Sequence, residues 1–120
     1  MKRVLTVLIA LAMFSVPLTV FAENPLGFPM REGSDSNAHM HNEEGIMHYN
    51  KGHYEEALKH FSVSEKIDPK VGASHYNMAL SLDKLGQHGD ATMHFKVALK
   101  LAHGRKDITE SKILKGHIGH

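Results

Sequence analysis

The strongest constraint on this chain is an internal period of 34 residues. Aligning residues 38–71 with 72–105 pairs His41 with His75, Gly52 with Gly86, Ala57 with Ala91 and His60 with His94. Phe61 meets Phe95, Val63 meets Val97 and Lys66 meets Lys100. Gly45 falls on Ala79 and Ser64 on Ala98, small on small. A period of this length is one supersecondary unit that cannot bury its apolar face alone and must stack on a neighbour.

Within each unit the apolar spacing is helical. Tyr54, Ala57, Leu58, Phe61 and Ser64 recur at three and four residues, the stripe of a helix with one buried face. The spacing predicts helices over Ala38–Lys51, Tyr54–Ile67, Ala73–Leu85 and Ala91–Ala102, with a weaker fifth over Lys106–Lys115 and a frayed tail from Gly116. Gly52 and Gly86 are placed to end helices in the left-handed conformation. Ser36 or Asn37 is the expected cap of the first helix and Asp90 of the fourth. Asp68-Pro69 stops the second, because the residue before proline is pushed out of the helical region. Gly45 lies mid-helix, where glycine costs about 1 kcal/mol against alanine. Its presence predicts a close approach by another helix.

These residues resemble the tetratricopeptide (TPR) family, whose unit is a 34-residue helix–turn–helix. The first unit carries Gly45, Gly52, Tyr54, Ala57, Phe61 and Pro69 at the family's positions. The second carries Ala79, Gly86, Ala91, Phe95 and Ala98. There are departures: Glu44 stands where leucine is usual, His48 and His88 where tyrosine is, Ser64 where alanine is, and His103 where proline is. The resemblance implies an all-α fold, a right-handed stack of hairpins with about five helices. It spans two repeats, 38–71 and 72–105, followed by a capping helix and tail over 106–120.

The first 22 residues are of a different kind. Lys2 and Arg3 precede a long apolar run, and Val20-Phe21-Ala22 supplies small residues for cleavage before Glu23. This is the layout of a secretory signal peptide. It predicts a periplasmic or secreted protein without a stable membrane anchor once cut. Residues 23–37, rich in Pro, Gly and Ser, read as a flexible linker, with a groove-bound Leu26 and Phe28 as the alternative. Cysteine is absent, which removes disulfides and thiolate metal sites. Fourteen basic residues face thirteen acidic ones, so the basic excess of a nucleic-acid binder is missing. Removing Lys2 and Arg3 with the leader leaves a formal charge of −1.

By resemblance, the first helix of each unit lines an inner groove that holds a peptide or partner protein. The corresponding residues are His39, Asn42, Ile46, Tyr49, Ala73, Tyr76, Asn77, Leu80 and Asp83. The lysine–asparagine clamp for a terminal carboxylate is incomplete: Asn77 matches, but Asn42, Ile46, Asp107 and Ser111 depart from it. The reading is a non-enzymatic protein- or peptide-binding adaptor with no cofactor and an unnamed partner. One alternative is a self-associating module, a possible homodimer. Another is a histidine-rich divalent-metal-binding protein, since 11 of 120 residues are histidine. No HExxH or i, i+4 histidine cluster is present, and His41 and His48 are two turns apart, so no metal ligands are assigned. No nucleophile–base pair or phosphate loop points to catalysis.

Overall fold

The computed structural model describes residues 23–29 and 34–119. The expected signal peptide lies outside them. The described residues are all helical or irregular and contain no strand: α1 (Ser36–Asn50), α2 (Tyr54–Ile67), α3 (Gly72–Lys84), α4 (His88–Lys100), α5 (Lys106–Thr109) and α6 (Lys112–Ile118). Each of the first four helices packs on the next, α4 also packs on α6, and α5 touches α3 and α4.

The 34-residue period is visible in the backbone itself. Gly52 has φ 78° and Gly86 φ 79°. The Gly52 amide donates to Tyr49 O at 3.0 Å, and the Gly86 amide donates to Asp83 O at 3.0 Å. His53 N donates to His48 O and Gln87 N to Leu82 O, both at 2.9 Å. This is the same two-bond helix stop, built twice with a left-handed glycine that satisfies the last carbonyls. The second unit ends differently from the first. His103 adopts φ 47°, which the ring of a proline forbids. Proline, which stands at the equivalent position 69 of the first unit, is thus excluded here by the backbone.

Several helix ends correct the expectations. Asp35, not Ser36 or Asn37, caps α1: its Oδ1 accepts from Asn37 N at 2.8 Å and Ala38 N at 3.1 Å. Asp90 does not cap α4, which begins at His88 and holds Asp90 in its first turn. There it faces the positive end of the helix dipole. The single fifth helix is two short ones. Ser111 breaks it by accepting from Leu114 N at 3.1 Å and so capping α6. The tail expected to fray from Gly116 continues helical to Ile118 and stops at Gly119, with φ 94°.

The core follows the repeat. Phe61 and Phe95 are fully buried, as are Ala57, Ala79, Ala91 and Ala98. One apolar cluster joins Ala57, Phe61 and Met78; a larger one joins Tyr76, Leu80 and Phe95 with Ile108 and Leu114. The C-terminal helices therefore cover Phe95, while Leu99 remains exposed. Gly45 shows why its position excludes a side chain. A Cβ there would sit 2.5 Å from Cδ1 and Cε1 of Phe61. The close approach is by the ring of Phe61, lying against the α1 backbone.

That contact sets a sign. At an open helical site Gly→Ala stabilises by roughly 1 kcal/mol. Gly45→Ala instead is expected to destabilise by about 1–3 kcal/mol through overpacking, read as a lower urea midpoint at unchanged m-value. A raised midpoint would contradict this packing.

Candidate functional site

Two groups of side chains stand out. The first is a set of histidines across the paired helices. His41 on α1 and His60 on α2 point Nδ1 at Nδ1 across 3.2 Å, with ring centres 5.5 Å apart. One repeat later His75 and His94 do the same, again at 3.2 Å and 5.5 Å. The pairing is thus a property of the repeat unit: each position is fixed by its helix, and the hairpin brings the two rings together.

The surroundings of the two pairs differ. In the first unit Glu44, one turn beyond His41, brings Oε2 to 3.0 Å from His60 Nδ1 and 3.8 Å from His41 Nδ1. His48 lies nearly parallel to His60, 5.3 Å away with an interplanar angle of 8°. His48 Nδ1 is buried with no hydrogen-bond partner among the described residues. In the second unit Met78 and Leu82 occupy the places of Glu44 and His48, and the carboxylate of Glu65 approaches His75 Nε2 from the other side, at 3.7 Å.

A second cluster lies at the far end of α3. Asp83 Oδ1 is 2.6 Å from His88 Nδ1 and 2.8 Å from His117 Nε2. Thr92 Oγ1 lies 2.9 Å from His117 Nδ1. In the first unit Tyr49 and Tyr54 hold the places of Asp83 and His88 and meet edge to face at 5.1 Å. The same contact position carries an aromatic pair in one repeat and a hydrogen-bonded Asp–His set in the next.

Both sets are candidate metal ligands: His41, Glu44 and His60 in one, Asp83, His88 and His117 in the other, each with its ligand atoms within 4.8 Å of one another. The first fits an ion better. Its three donor atoms lie on a circle whose radius, from the separations above, is about 2.0 Å, the length of a Zn–N or Zn–O bond. The Asp83 contacts are shorter, as expected where one carboxylate oxygen accepts hydrogen bonds from two imidazoles.

The second group lies on the face formed by α1 and α3. Residues 23–29, whose composition suggested a loose linker, lie along it without regular structure. Asn77 Oδ1 accepts from Leu26 N at 2.6 Å, and Asn77 Nδ2 donates to Leu26 O at 2.8 Å. Asn42 Nδ2 donates to the same carbonyl at 3.0 Å, while its Oδ1 accepts from Asn77 Nδ2 at 2.8 Å. Tyr76 Oη donates to Glu23 Oε2. Ser111 Oγ donates to the same oxygen at 2.5 Å, and Lys112 N donates to Oε1 at 2.7 Å. Burial pushes the Glu23 carboxyl up, but the bonds from Ser111, Tyr76 and the Ile113 and Lys112 amides outweigh it and hold the group below 4.5. Burial, reinforced by the bond to Glu23, raises the Tyr76 phenol far above its usual range, so it stays a donor.

Of the residues assigned to an inner groove, Asn42, Tyr76 and Asn77 contact this segment. His39 meets Phe28 edge-on, ring centres 6.3 Å apart, and its Nδ1 is buried without a partner among the described residues. Ala73 lines a cleft of about 550 Å³ beside Phe28. Leu80 belongs to the core, and Ile46 and Tyr49 pack against it. Asp83 joins His88 and His117 instead. The candidate ligand sets are not legible along one helix because their members come from different helices. The signal was there in His41/His75 and His60/His94, which recur at one period but lie on opposite arms of the hairpin.

No protein-family model matches the chain, and no curated protein matches it significantly.

The second histidine pair carries a pH dependence. Burial and the neighbouring His75 lower the pKa of His94 below 6.5, against the opposing pull of Glu65 and Asp90. The unfolded chain then binds a proton more readily than the folded one below that value. Stability is therefore complete above about pH 6.5 and falls as the pH drops toward the lower folded value. A Tm series from pH 7.5 to 5 should decline, and His94→Gln should flatten part of the decline. An unchanged slope in the variant would remove His94 from the account.

Proposed function

We propose that this chain is a non-enzymatic, histidine-rich protein that binds a divalent transition-metal ion on a TPR-type helical scaffold. The carrying observation is the convergence of His41 Nδ1, His60 Nδ1 and Glu44 Oε2 on a triangle of metal-binding size. Two imidazoles and a carboxylate suit a borderline ion such as Zn, Ni or Cu rather than Mg or Ca, which prefer all-oxygen sites. Three protein ligands leave a further position for water or a partner's ligand. The bond between Nδ1 atoms must give way on loading, since both nitrogens need free lone pairs, so affinity falls as the imidazoles protonate. A leader cut after Ala22 would deliver such a protein outside the cytoplasm.

The adaptor reading is the second. It is favoured by one observation: a peptide segment lies on the face of α1 and α3, held by Asn42 and Asn77 through backbone groups. Among the described residues no helix is long and apolar enough to cross a membrane.

Calorimetric titration of the full chain with Zn, Ni and Cu salts at neutral pH tests the metal reading. One ion should bind with Kd below about 0.1 mM, near 5.5 kcal/mol of binding free energy. His60→Ala should lose that event, and His117→Ala should retain it. No binding in the intact chain, or equal binding in His60→Ala, would contradict the assignment.

A further inference from the structure

The segment over α1 and α3 has the character of a ligand. Asn42 and Asn77 are both fully buried, at 0% exposure. Buried carboxamides need partners, and the partners shown for these two are each other and the backbone of Leu26. Asn77 accepts from the N–H and donates to the C=O of the same residue. This pattern reads an extended backbone without regard to its side chain, as a neighbouring strand would.

Side-chain selection comes from the flanks. Pro25 is buried, and Phe28 is only 5% exposed yet belongs to neither core cluster. Its environment is His39 and the rim of the cleft shared with Ala73. Arg105 Nη1 donates to Gly27 O at 2.9 Å. Tyr76 and Ser111 donate to the carboxylate of Glu23. Of this segment only the half-buried Leu26 packs on the helical core clusters. A segment without regular structure, held by these polar contacts, opens at lower cost than the core.

Resting on the adaptor reading, we infer that residues 23–28 are a built-in occupant of a docking face. The face accepts from a partner protein an extended segment of the same chemistry: a carboxylate, proline and leucine two and three residues on, and an aromatic ring two residues after the leucine. The tethered copy competes with the partner. It acts at the effective concentration set by its short connection to α1, in the millimolar range for such a tether. The apparent affinity of the intact chain is lowered by the fraction of time the face is covered.

A fluorescent peptide with the sequence of residues 23–28 tests this on the full chain. The opened chain carries Leu26→Pro, which deletes the N–H that Asn77 accepts, and Phe28→Ser. It should bind the peptide at least about tenfold more tightly than the intact chain. Adding Asn42→Ala and Asn77→Ala should abolish that binding at unchanged helical circular dichroism. Equal affinities for intact and opened chains would overturn the competition and leave the adaptor reading standing. No binding by a helical opened chain up to about 1 mM would overturn both. If the opened chain loses its helicity, the unmodified chain decides. Excess unlabelled peptide should accelerate hydrogen exchange at the Leu26 amide, and exchange indifferent to the peptide would overturn the proposal.

Discussion

Helix α3 is buried at every residue from Gly72 to Leu82, and the remainder of the structure is arranged to make that possible. A helix enclosed on all sides in so small a domain would normally be apolar all round. This one carries Ser74, His75, Asn77 and Ser81. Each buried polar side chain must find a partner or cost free energy on the order of 1–3 kcal/mol. Each has one: Ser74 lies 3.3 Å from Ser64, His75 faces His94, Ser81 donates to Asn77 O, and Asn77 holds Leu26. The four contacts run to α2, to α4, to its own backbone and to the N-terminal segment. They set the neighbours in place as the apolar contacts do, and with more directional selectivity.

Ser64 illustrates the point. The period places a small residue here, and alanine occupies the matching position 98. Serine keeps the close approach and adds a hydroxyl that donates to Ala38 O at 2.7 Å, tying α2 to the start of α1. The histidine pairs work at the same level. The first pair sits across the α1–α2 hairpin, where Gly45 lies against Phe61, and the second across α3–α4, with the same ring separation. In the first unit Glu44 brings a carboxylate beside the two nitrogens. In the second, Met78 takes the carboxylate's place and joins the apolar cluster. Two units of one backbone design thus differ at this position, with a carboxylate beside the histidines in one and an apolar side chain in the core of the other. A comparable difference separates Tyr49 and Tyr54 from Asp83 and His88.

Much of the helical scaffold was legible from residue spacing. Gly52, Gly86, Phe61 and Phe95 mark turns and core because each answers to a local rule: left-handed φ for glycine, burial for the aromatic stripe. Ser111 was harder, since a helix that stops and restarts within a few residues keeps the same apolar period on both sides. Asp35 and the expected Ser36 or Asn37 are all good caps, and only the position of the first turn separates them. The histidine sets lay beyond a one-helix search: His41 and His60 are 19 residues apart, and Glu44, three residues after His41, meets His60 only across the hairpin. The N-terminal segment has the composition of a linker, and nothing local in it announces Asn42 and Asn77, which belong to other helices. Local signals placed elements; convergence between elements needed coordinates.

The account centres on the triangle of His41, Glu44 and His60. Its most direct test is anomalous diffraction from crystals of the full chain grown with zinc, recorded on both sides of the zinc edge. The account predicts one strong peak between His41 Nδ1, His60 Nδ1 and Glu44 Oε2, at about 2.0 Å from each. A loaded crystal with its peak elsewhere, and these three side chains still joined only to one another, would contradict it.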